Sequence, residues 1–209
     1  LHERVLERCD GIGWSHCSLA AVAAKPKLFA KLSEVVRRKQ RWWGVEIGLE
    51  TGSAELATKI MPAKAHPFKP EQWPTVVKEA AGLMTDNNIV PACTLIAGLP
   101  EETEDDLLKT IELIEDLDDF KSLIVPLFFA PLGRLKDKNW FMAEQMNRLH
   151  RELFIQCLKH DIKWTKVLIR DYLEGKPFER LLTPLYRFMV WFAEGKMRSL
   201  QNATPDSMP

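Results

Sequence analysis

No run of about 18 apolar residues occurs in the 209-residue chain, and no basic-then-apolar leader opens it, so neither a membrane span nor a signal peptide is read from it. The expectation is a soluble, cytoplasmic protein. Cysteine is scarce and scattered: Cys9, Cys17, Cys93 and Cys157 show neither the close pairing of a zinc site nor an iron–sulfur spacing, which leaves reduced, mostly buried thiols as the expectation. Net charge is lacking too. Lys+Arg and Asp+Glu balance at 29 each, so no overall field draws nucleic acid or an acidic membrane. Fixed-period repeats and low-complexity stretches are absent. The chain opens on Leu1, and residues 1 to 8 read as the closing turns of a helix, so it is taken as a fragment of a longer protein.

What is present is a composition of 46% hydrophobic and 28% charged residues, enough for one domain with a sizeable core. Segments of strand character (13 to 19, 43 to 50, 90 to 98 and 123 to 129) alternate with segments of helical period, the pattern of parallel βα units. Pro26 opens the first helix, with Leu28, Leu32, Val35 and Val36 on its apolar face and Arg37, Arg38 and Lys39 at its basic end. Ser53 caps the second, Pro70 opens the third ahead of Val76, Val77, Ala80 and Leu83, and Thr103 with Asp106 forms a capping box on the fourth, whose inner face is Leu107, Ile111 and Ile114.

After Asp137 strand signals stop, and helical periods follow at about 139 to 160, 163 to 173 and 178 to 197. The aromatic stripe Phe178, Tyr186, Phe188, Trp191 and Phe192 is expected to dock on the strand-and-helix unit or a neighbouring helix, with a membrane or partner surface as the alternative. Residues 201 to 209 read as a frayed end.

Alternation along the strand Gly44-Val45-Glu46-Ile47-Gly48-Leu49-Glu50 sends Val45, Ile47 and Leu49 to one face and Glu46, Glu50 and two glycines to the other. Glu50 falls at the carboxyl end of its strand, where parallel α/β folds place their ligand sites, and Thr51-Gly52-Ser53 leads straight into a helix. The alternative is an edge or anchoring role for the two carboxylates. In the next strand Thr94, Ile96 and Gly98 share a face, offering a hydroxyl, an apolar ledge and bare backbone suited to a ribose and a flat base. A plain buried strand before a capped helix explains the same string.

The strings GVEIGLETGS, KIMPAKAHPF, TLIAGLPEET and LIVPLFFAPLG occur in that order at βα spacing. Together they resemble the radical S-adenosylmethionine (SAM) superfamily over roughly residues 10 to 160, in particular members that often carry an upstream cobalamin-binding domain. The resemblance implies an α/β fold. Residues 1 to 137 would be the later units of a partial TIM-type (βα) barrel of parallel strands, and residues 138 to 209 a helical C-terminal extension. It also implies a 4Fe-4S cluster on a CxxxCxxC loop, SAM across the carboxyl ends of the strands, an electron donor, a small-molecule substrate and, outside this chain, cobalamin.

Carried over by position, Ile96, Gly98 and Glu101 match an IxGxxE motif with Thr94 in place of its first glycine. Ile96 would pack on adenine, Thr94 would reach the ribose, and Glu101 would fix the turn. Glu50 would contact the methionyl or ribose part, Lys64 would pair with the SAM carboxylate, and the Phe128-Phe129-Ala130 segment would read the adenine edge. His16 and Glu46 are candidates for the substrate side, His16 with a structural role as its alternative.

The chain has no CxxxCxxC and no GGE-type segment. Both are expected upstream, no metal ligand is assigned here, and the chain alone is expected to be inactive. Two other classes stay open. A carboxylate hydrolase using Glu46 and Glu50 would need them closer than the ~13 Å that four residues of strand impose. A non-catalytic remnant or scaffold would also lack the cluster loop.

Overall fold

A computed structural model describes residues 2–9, 11–41 and 43–202. Helices α1 (His2–Leu6), α2 (Leu19–Ala24) and α3 (Pro26–Arg37) precede strand β1 (Trp43–Glu50). Then come α4 (Ala54–Ile60), α5 (Trp73–Asp86), β2 (Ile89–Ala97), α6 (Glu104–Asp116), β3 (Leu123–Phe128), α7 (Arg148–Leu173) and α8 (Glu179–Asn202). The three strands form one parallel sheet in the order β1-β2-β3.

The expected first strand at 13 to 19 is not one. It is an extended segment joined to β1 by a single bridge at His16, with Glu46 N–H donating to the Ser15 carbonyl and Cys17 N–H to the Glu46 carbonyl. Ser18 ends it by accepting the Ala21 N–H and starting α2.

The sheet has two unlike faces. Val45, Ile47 and Leu49 of β1, Cys93 and Leu95 of β2, and Ile124 of β3 are buried in one core with Val36, Val76, Val77, Ala80, Met84, Leu107, Ile111, Ile114 and Leu153. The opposite face carries Glu46, Gly48, Thr94, Ile96, Val125 and Leu127 in aligned rows, because Glu46 pairs with Ala92, Gly48 with Thr94, Thr94 with Val125 and Ile96 with Leu127. Val125 and Leu127 are exposed there. Strand β3 is an edge, and α7 covers it: Ile124 N–H donates to Asp161, and Ser122 and His160 are hydrogen-bonded.

The caps behave as sequence predicts at Ser53, which accepts the Leu56 N–H, and in the Thr103–Asp106 box. Pro70 instead opens a 3₁₀ turn, and the α-helix begins at Trp73. On α3 the buried residues are Phe29, Ser33, Val35 and Val36, leaving Leu28 exposed. The tail differs more. Residues 139 to 147 hold only a 3₁₀ turn, Ala143–Gln145, and the two expected helices at 148 to 173 are one, because the apolar period continues through buried Ile162. Expected docking of the aromatic stripe does not occur: Phe178, Phe188, Trp191 and Phe192 are exposed, and Tyr186 alone is half-buried, facing α7. Of the expected frayed end, 201 and 202 fall in α8 and the rest lies outside the described residues.

The turn after β1 is held by close approach to α6. Gly52 N–H donates to Thr110 Oγ1 at 3.0 Å, and a Cβ at Gly52 would lie 2.6 Å from the Thr110 Cα and 2.9 Å from the Lys109 carbonyl oxygen. Backbone atoms cannot step aside. Gly52→Ala is therefore expected to destabilise the protein by about 1–3 kcal/mol, the range for overpacking, as read from urea unfolding midpoints. An unchanged midpoint would show that this contact is not tight.

Candidate functional site

Glu50 ends β1 with φ 68°, a left-handed conformation that costs a non-glycine residue roughly 1–2 kcal/mol. It sits at a register break, since Gly48 pairs with Thr94 and Glu50 with Leu95. The indole N–H of buried Trp73 braces the bend, donating to the Leu49 carbonyl at 3.2 Å and the Thr51 carbonyl at 3.0 Å, on either side of Glu50. Ser53 Oγ donates to Asp106, whose other oxygen accepts the Thr103 N–H at 2.9 Å and hydroxyl at 2.6 Å. Burial raises the Asp106 pKa, but the hydrogen bonds from Ser53 and Thr103 outweigh it and hold the carboxyl below its usual range. The carboxyl end of β1 is thus pinned to α5 and α6.

So placed, the Glu50 carboxylate is in an ion pair with Lys64, from the 3₁₀ turn Pro62–Ala65. The pair lies over Gly48, where a side chain would collide with both groups. Around it opens a cleft of about 610 Å³ lined by His16, Ser18, Gly48, Glu50, Lys64, His66, Trp73 and Thr94. Thr94 Oγ1 donates only a long 3.4 Å bond to the Ile47 carbonyl. Four residues singled out from sequence, His16, Glu50, Lys64 and Thr94, therefore share one concavity. Glu46 lies on the same sheet face, 3.2 Å from His16 Nε2, with both side chains mostly exposed.

Ile96, Gly98 and Phe129 are elsewhere. Ile96 packs on a small cluster of Leu56, Leu99 and buried Phe129, together with Phe141. The Phe141 ring lies directly over Gly98. Phe129 N–H donates to the Ala97 carbonyl, and the Phe129 carbonyl accepts the Phe141 N–H. Both backbone groups of Phe129 are thereby used within the chain.

A buried polar group beside Phe141 has no counterpart in the sequence reading. Glu102, rather than exposed Glu101, accepts the Gly98 N–H at 2.8 Å, and it meets His150 Nε2 at 3.2 Å. His150 Nδ1 is 2.7 Å from Asn147 Oδ1. Burial pushes the Glu102 carboxyl up to about 7, against the opposing effect of the Gly98 N–H, and burial pushes the His150 imidazole down. His150 Nδ1 also accepts the Asn147 backbone N–H at 3.3 Å, closing a capping box at the start of α7. The sequence signal for it is slight: Asn147 three residues before His150 at a helix start.

At the amino ends of the strands a second, largely apolar cavity of about 510 Å³ lies between Gly44, Val90, Pro91 and Leu123 and the side chains of Leu168, Tyr172 and Tyr186. All four cysteines are free; burial pushes the thiols of Cys93 and Cys157 up to about 12. No protein-family model matches the chain, and no curated protein matches it.

Folded Glu102 keeps its proton up to about pH 7, whereas its ordinary value is 4.5. Its contribution to stability is complete below the lower value and is lost as pH rises through the upper one. Relative to the parent, Glu102→Gln should gain on the order of 3 kcal/mol between about pH 4.5 and pH 8, measured by urea unfolding. A difference that stays constant over that range would mean that Glu102 ionises normally in the folded protein.

Proposed function

We propose that this chain is the later part of a radical SAM enzyme barrel and that the Glu50–Lys64–Thr94 cleft holds the polar end of SAM. The observation that carries the reading is the ion pair at the carboxyl end of a parallel strand, over a glycine, on a sheet face whose Val125 and Leu127 are exposed. Parallel sheets are ordinarily covered on both faces, so a face left bare in this way suits the lumen of a barrel closed by further strands. The α-amino and α-carboxylate groups of SAM present the charges of Glu50 and Lys64 in opposite order, so each can exchange its present partner for the ligand's. Thr94 Oγ1, weakly engaged, is left to a ribose hydroxyl.

The adenosine part would lie along Ile96, Gly98 and the Phe129 segment. Phe141 must then leave Gly98. His16 and Glu46, lower on the same face, are left to a small-molecule substrate. Bound at a reduced 4Fe-4S cluster, SAM supplies a 5′-deoxyadenosyl radical or a methyl group; the residues here bind, orient and shield it. The chain does not fit the cluster itself. Among the described residues no three His, Cys, Asp or Glu side chains are grouped to hold a metal ion, and no step through the cluster is assigned. The cluster, its electron donor and any cobalamin would belong to segments or partners outside this chain.

The test is anaerobic reconstitution of a longer protein that joins this chain to a CxxxCxxC segment, followed by an assay of SAM cleavage to 5′-deoxyadenosine. Glu50→Ala and Thr94→Val should each reduce cleavage by about tenfold or more, the loss expected for one or two ligand hydrogen bonds. A folded protein that assembles no cluster and cleaves no SAM would leave the non-catalytic scaffold.

A further inference from the structure

Helix α8 turns its more polar side toward its neighbour. Along the seam with α7 it presents Glu179, Thr183, Tyr186, Val190 and Glu194, with exposed Arg187 and Trp191 at the edge of the seam. On the opposite side Leu181, Leu185, Phe188 and Phe192, spaced by four, three and four residues, are each more than half exposed. Met189 flanks them and is also exposed. Burial of an apolar stripe is what ordinarily holds an amphipathic helix on a protein, so a stripe facing away implies a second surface that takes it.

Charge identifies that surface. The two acids of α8 are engaged: Glu194 is paired with Lys166, and Glu179 accepts the Gly175 N–H at 2.9 Å. The four bases, Arg180, Arg187, Lys196 and Arg198, are exposed, and none has a carboxylate within ion-pair distance among the described residues. The charges that α8 leaves unpaired at its exposed surface are therefore positive. A second copy of the chain would bring its own arginines against these.

An anionic lipid surface meets both features, with the aromatic and leucine side chains entering the headgroup boundary and the bases pairing with lipid charge. No helix among the described residues is long and apolar enough to cross a membrane, so the association would be in the plane of the interface. We propose that the outer face of α8 docks the protein on anionic membranes. This inference is independent of the function proposed above.

Co-sedimentation of the whole chain with phosphatidylcholine vesicles, with and without phosphatidylglycerol, tests it. Binding to the mixed vesicles should exceed binding to the neutral ones by at least about tenfold, and should fall by about tenfold or more in Phe188→Ser/Phe192→Ser and in Arg180→Ala/Arg187→Ala. These positions are exposed, so the variants should fold, which circular dichroism checks. Equal binding to both vesicle types, or none, overturns the proposal. So does a dimer in sedimentation velocity that Phe188→Ser dissociates while vesicles bind no protein, an outcome that assigns the face to a second copy.

Discussion

A parallel sheet that buries one face and leaves the other open toward the carboxyl ends of its strands is the constraint on which the rest depends. Alternation makes it so: every second residue of β1 is a large apolar group, packed with Cys93 and Leu95 of β2 beneath α2, α5 and α6, and those between in β1 are glycine or glutamate. Hydrophobic burial on one side fixes the strands, and their register then lines up Glu46 with Ala92 and Gly48 with Thr94 on the other. A one-residue slip would bury the carboxylates and expose the core. The open face is thus as strictly specified as the packed one.

On that frame the end of β1 is held from several sides. Glu50 accepts an unfavourable backbone because Trp73 braces both neighbouring carbonyls and Gly52 is locked against Thr110. Such over-determination fits a residue whose position matters more than its local energy. Farther along the same strand ends the character changes. Phe141, delivered by the segment before α7, fills the space above Gly98, and the Glu102–His150 pair fastens that segment to the turn after β2. One half of the strand ends is therefore polar and accessible, and the other apolar and filled.

The strands at 43, 90 and 123, the faces of β1 and the Ser53 and Thr103 caps were legible because they rest on period and on local hydrogen bonding. The resemblance named Glu50 and Lys64 separately, but their ion pair across fourteen residues was not foreseen, since no local rule places a loop lysine over a glycine. Where tertiary partners decide, reading fails. Extended residues 13 to 18 have strand composition but only one bridge, because Ser18 turns the chain into α2. Phe141 sits in a stretch whose helical period is overridden by its insertion against Gly98. Glu102 and His150 are 48 residues apart, and nothing in either neighbourhood announces the other. Of the aromatic stripe legible in the tail, only Phe188 and Phe192 lie on the outward side of α8, beside Leu181 and Leu185, because Tyr186 turns toward α7.

The central claim is that the Glu50–Lys64 cleft receives the amino-acid end of SAM, and it can be put to this chain directly. Saturation-transfer NMR with SAM present in excess detects even weak binding and reports which ligand protons lie against protein. The account predicts transfer to the methionyl protons in the parent chain and its loss in Lys64→Ala. Transfer that is absent from the folded parent, or unchanged by Lys64→Ala, would contradict it.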